Sequence, residues 1–207
     1  MFSSFLSKFQ PEGVVLKTGN LSADADDVEG YGEFFAEYSG VAFNSGLYRA
    51  HTVDGTRRWN SIIVEAFPKF KKRVSCFGYD WLGRQFALDR ERRNEEGQPL
   101  VLMMEPGTGE ALEIPATFLS FHNEELVDYT DAALAEKFFY EWRSSSGKRL
   151  GLNECAGYKV PLFLGGKDVI SNLEIIDLEV YWVICGQLFS KTKLLPPGTT
   201  VKNIAIT

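Results

Sequence analysis

Apolar residues recur with a period of two in three consecutive segments, 74–78, 84–89 and 99–105, and each segment is bounded by turn-forming residues. Such alternation sends successive side chains to opposite faces, which a strand accommodates and a helix does not. The connections 79–83 and 94–97 are short enough for hairpins, so the pattern predicts a three-stranded antiparallel meander. The second connection lengthens if residues 90–93 leave the sheet, and the mixed-sign run 90–96 reads as an exposed loop.

Around this meander the period changes to that of a helix. Tyr31, Phe34, Phe35 and Tyr38 recur at three- and four-residue intervals in a short amphipathic helix stopped by Gly40. Residues 46–52 are strand-like. From Arg58 to Phe67, Trp59, Ile62, Ile63, Ala66 and Phe67 then share the face of a helix that Pro68 ends. Thr117 is placed to cap a helix through Phe118, Phe121, Leu126 and Val127, and Thr130 to cap a second one reaching Trp142. Further on, Ser171 and Glu174 have capping-box spacing ahead of a helix carrying Leu178, Tyr181, Trp182, Cys185, Leu188 and Phe189. Pro196, Pro197 and Gly198 predict a turn into a last strand over 201–207.

The expected fold class is therefore α+β, an antiparallel meander flanked by helices with a smaller α+β unit at the C-terminal end. The polar stretch 144–150 reads as a linker between a domain over 1–143 and a second over 151–207. No run of about 18 apolar residues is present to cross a membrane. The first residues lack the basic start and long apolar run of an export signal, which places the expected site of action in the cytoplasm.

A formal net charge of −6 argues against holding nucleic acid by its phosphates and suits a basic partner. The basic run 69–73 reads as a solvated helix end. The two histidines, His51 and His122, have neither metal-ligand spacing nor a neighbouring nucleophile, and read as packed or surface residues. Cys76, Cys155 and Cys185 are too scattered for a zinc site or a disulfide framework and are expected as buried free thiols. Gly107 with Gly109, and Gly165 with Gly166, match no phosphate-binding pattern and read as turns. The acidic run of Asp24, Asp26, Asp27 and Glu29 lacks the ligand order of a calcium loop. No cofactor, metal or catalytic group is expected.

Two stretches resemble known families. Residues 74–89, 97–109 and 116–122 resemble the GAD-like domain and, more remotely, SUKH immunity proteins. Residues 158–166, with Asn172, Leu173, Glu174, Asp177, Tyr181 and Trp182, are similar to the C-terminal domain of bacterial immunity proteins that protect against type VI-secreted DNase toxins. The resemblance implies a non-enzymatic protein, a monomer or weak dimer, that binds a cognate toxin and covers its active or DNA-binding surface. It carries over no contact residues. From charge alone, Asp24, Asp26, Asp27 and Glu29, with Glu33 and Glu37 on the following helix, are the candidate contact surface. Trp81 is weighed between the core and an interface anchor and is kept among the candidates. The competing expectation is a regulatory interaction module of the same fold with no toxin partner.

Overall fold

The computed structural model describes residues 1–16 and 27–195. Its first elements are α1 (Ser3–Lys8), β1 (Pro11–Glu12), α2 (Tyr31–Tyr38), β2 (Ala42–Phe43), β3 (Tyr48–Ala50) and α3 (Val53–Ala66). The meander follows as β4 (Val74–Asp80), β5 (Gln85–Arg93), β6 (Pro99–Glu105) and β7 (Glu110–Thr117). Beyond it come α4 (Phe118–Ser120), α5 (Leu126–Asp128), α6 (Thr130–Leu134), α7 (Glu136–Ser146), β8 (Glu154–Tyr158), β9 (Leu173–Asp177) and α8 (Leu178–Thr192). Strands β1 to β7 form one antiparallel sheet in sequence order, and β8 pairs with β9 in a second. The expected α+β class and central meander are present.

Alternation sorts the sheet's side chains between two apolar clusters. Phe77, Phe86, Leu88, Val101 and Met103 face one that includes Phe5, Phe34, Phe121 and Leu173. Tyr79, Ala87, Leu102 and Met104 face the other, built with Trp59 and Ile63 of α3 and with Trp182 and Cys185 of α8. A register shift between Cys76 and Gly78 lets Cys76 and Tyr79, three positions apart, face the same cluster. Both clusters draw residues from either side of segment 144–150, whose first residues complete α7 and whose Leu150 is buried.

Several local expectations need correction. Residues 90–93 continue β5 across a register irregularity, instead of forming a loop, and the turn begins only at Asn94. The helix expected from Thr130 to Trp142 is broken at Ala135, whose left-handed backbone separates α6 from α7. Thr130 does not cap it, because its hydroxyl donates to the Leu126 carbonyl at 2.6 Å. Ser171 and Glu174 form no capping box, since Leu173–Asp177 is zipped to β8 and Asp177 is the cap, accepting from the Glu179 and Val180 amides. Helix α3 starts before Arg58, at Val53, capped by the Thr52 hydroxyl. Thr117 caps α4 in a reciprocal box with Ser120, as expected. The turn at residues 196–198 and the strand at 201–207 lie outside the described residues.

The β4–β5 turn organises the elements that follow the meander. Asp80 and Arg84 are buried and paired at 2.6 Å, and the other Asp80 carboxylate oxygen accepts the Leu82 and Arg84 amides. Within this turn Arg84 donates to the Ala133 carbonyl and Trp81 to the Leu134 carbonyl, holding the end of α6. The Trp81 carbonyl accepts the Ala156 amide of β8, and the Gly83 carbonyl accepts the Trp182 indole of α8. Removing one member of a buried ion pair leaves an uncompensated charge and typically costs about 3–5 kcal/mol. R84M should therefore lose about that much in urea unfolding followed by tryptophan fluorescence; a loss below about 1 kcal/mol would show that the pair does not hold the turn.

Candidate functional site

Helix α2 turns its aromatic stripe inward and its carboxylates outward. Tyr31, Phe34 and Phe35 are buried, whereas Glu33 and Glu37 are exposed one helical turn apart. The helix begins after Gly30, which adopts φ 77°, and a Cβ there would come within 2.9 Å of the Met1 sulfur. The glycine thus serves both the turn and the close approach of the N-terminal residues. Asp27, Glu29 and Glu33 consequently rim one open depression with Met1, Val28, Gly32, Ala36 and Gln98.

Gln98 fixes this arrangement across 69 positions of sequence. Its side-chain oxygen accepts the Glu29 amide at 2.9 Å, and its side-chain nitrogen donates to the Asp27 carbonyl at 3.1 Å. It belongs to the tight turn between β5 and β6, closed by Asn94 and Gly97, so the exposed Glu95 and Glu96 sit on the same turn as the residue that clamps the acidic rim. Sequence reasoning misses Gln98, Glu95 and Glu96. The Asn94–Gly97 turn signal is visible, but nothing local ties it to Glu29.

Among the described residues, Asp27, Glu29, Glu33 and Glu37 enter no ion pair. Like charges four apart on a helix cost roughly 0.2–0.5 kcal/mol, which a basic partner would relieve. Of the expected surface, the structure brings together Asp27, Glu29 and Glu33, with Glu37 one turn further along α2. Asp24 and Asp26 lie outside the described residues.

Trp81 does not belong to this surface. It is 0% exposed, packed against Phe138, Phe139 and Trp142 with its indole N–H bonded to the Leu134 carbonyl. Its place in a turn suggests exposure, but that turn is covered by α6, α7 and β8.

Both histidines are packed residues. His122 lies among seven aromatic rings with centroids 4.4–5.7 Å away, its two ring nitrogens bonded to the Tyr48 hydroxyl and the Phe118 carbonyl. It sits in a π-helical turn, Phe121–Glu125, between α4 and α5. His51 stacks on Trp59 and Tyr79 and bonds Gln85 at 2.6 Å. Burial lowers the pKa of His51 to about 4 and that of His122 to about 3, so both are neutral. The three thiols are free and buried, and burial pushes Cys185 up to about 12, far from a nucleophilic thiolate. Among the described residues no cluster of metal-binding side chains occurs, and no helix is long and apolar enough to cross a membrane.

Depressed histidine pKa values make stability pH-dependent in a definite direction. The unfolded chain takes up protons near pH 6.5 that the folded chain refuses, so stability is lost as pH falls below that point. At pH 5 each buried histidine should cost about 2 kcal/mol relative to pH 7. Urea midpoints at the two pH values check this, and H51Q should remove part of the difference; an unchanged pH dependence would contradict the assignment.

The crystal structure of Atu4351 from Agrobacterium tumefaciens aligns with this chain at a TM-score of 0.59 and 17% identity, covering 90% of this chain and 89% of that one, and so shares its fold. Residues 116–189, from the end of β7 into α8, match the family described as "T6SS immunity protein Tdi1, C-terminal". The similarity is confined to this segment, and the rest of the chain lies outside it. No curated protein matches the sequence.

Proposed function

We propose that this chain is a cytoplasmic immunity protein that binds one cognate secreted toxin and neutralises it by covering a basic working surface, in the manner of a nuclease inhibitor. The match of residues 116–189 to the immunity family carries the reading. The depression rimmed by Asp27, Glu29 and Glu33 supports the choice of contact surface, because its carboxylates are exposed and unpaired among the described residues. A nuclease must itself present cationic groups to DNA phosphates, and an acidic surface of matching extent both steers encounter and competes with DNA. Binding of this kind uses no cofactor and no catalytic residue of the inhibitor.

The GAD-like character of residues 1–143, the separate unit at 151–207 and a monomeric or weakly dimeric state belong to the same proposal. On this reading the N-terminal part supplies the contact surface, and the immunity-family segment supplies the frame on which it is held.

Co-expression with a candidate secreted nuclease toxin, sought first among genes beside this one, should rescue growth and give a stable complex on pull-down. Reversing Asp27, Glu29 and Glu33 to lysine should slow association roughly 10-fold or more at low salt and flatten its salt dependence, with the folded state unchanged by circular dichroism. An unchanged association rate would remove this surface from the interface, whereas failure of the unmodified protein to bind or rescue would remove the toxin reading itself.

A further inference from the structure

The face of the sheet turned toward α3 carries a row of buried polar groups that the binding surface does not use. Arg49 of β3 is directly opposite Tyr79 of β4, which is directly opposite Gln85 of β5. Opposed residues on adjacent strands present their side chains on the same face, about 5 Å apart. All three are buried, at 7%, 3% and 0% exposure. Each nevertheless holds an unpartnered polar atom: Arg49 Nε, the Tyr79 hydroxyl and Gln85 Nε2.

Neighbouring groups already occupy other atoms of these side chains. One terminal Arg49 nitrogen donates to the Leu150 carbonyl at 2.8 Å. Gln85 Oε1 is 2.6 Å from His51 Nε2, and His51 is in turn clamped between the rings of Trp59 and Tyr79. Burial raises the Tyr79 pKa, and the Arg49 guanidinium and the Asn153 backbone lie close enough to the phenol oxygen to oppose that rise. Among the described residues Arg49 forms no ion pair. A buried guanidinium without a counter-charge, beside two further orphaned N–H and O–H donors, is a costly arrangement for a protein to keep empty.

We propose that the Arg49–Tyr79–Gln85 row is an internal binding site for one small monovalent anion of halide size. All three orphaned atoms are able to donate, and an anion seated against Arg49 Nε and the Tyr79 hydroxyl would also neutralise the guanidinium. A water molecule would satisfy the donors but leave the charge uncompensated. The site is separate from the acidic rim: that rim involves α2 and the β5–β6 turn, whereas this row lies at the opposite end of β5, beside the β4–β5 turn.

Crystals of the full chain grown or soaked in sodium bromide test it directly. An anomalous bromide peak within hydrogen-bond reach of Arg49 Nε and the Tyr79 hydroxyl is the expected result. Density that refines as water, or no density between these groups, overturns the proposal. In solution, replacing sodium gluconate, whose anion is too large for the site, with sodium bromide at equal ionic strength should raise Tm by roughly 2–4 °C, the size expected of a ligand held at a few times its Kd in a chain of this length. Tyr79→Phe, which keeps the ring stacked on His51 and deletes one donor, should fold normally and lose most of that rise; an equal rise in Y79F overturns the assignment.

Discussion

The buried pairing of Asp80 with Arg84 is the constraint on which the rest of the molecule leans. It closes a tight turn whose backbone and side chains are then shared out among elements that follow the meander: α6 through Ala133 and Leu134, β8 through Ala156, and α8 through Trp182. Without a satisfied ion pair at its centre the turn would present a bare charge to that packing, and the elements docked on it would have nothing fixed to meet. The turn therefore does what a linker cannot: it fastens the sheet to the segment that matches the immunity family.

The two ends of strand β5 consequently have different jobs. Polar atoms of the β4–β5 turn point inward and are consumed by structure, so little of that end is free to meet a partner. At the other end of β5 the β5–β6 turn does the opposite. Gln98 reaches across to hold the backbone around Glu29, and the carboxylates it positions stay in water. Stability and charge presentation are thus divided between the two hairpin turns of the same strand.

How far the sequence discloses this depends on whether a signal is local. The alternation in β4, β5 and β6 is visible because each strand is flanked by turns and divides its side chains between two apolar clusters. Strand β7 escapes notice because Glu110, Ala111, Leu112 and Glu113 favour helices, and because Pro115 is tolerated only where a strand has a free edge. The spacing of Ser171 and Glu174 is real but is overridden by pairing with β8, a contact no window around Ser171 contains. The acidic rim is legible from composition along α2. Gln98 is not, since its importance lies in two hydrogen bonds to backbone some seventy residues away. Trp81 misleads for the same reason: a turn looks exposed until the elements covering it are known.

The Gly83 carbonyl and the Trp182 indole are joined across 99 positions, and that separation orders the steps by which the chain is completed. On the ribosome, hairpins β4 to β7 have all their ladder partners within a few tens of residues, so they are able to close early. The carbonyl of Gly83 must wait for Trp182, and the indole of Trp81 for Leu134. Until then a turn that is buried in the finished molecule is without its cover, and the nascent sheet carries its fastening point open while its hairpins are already complete.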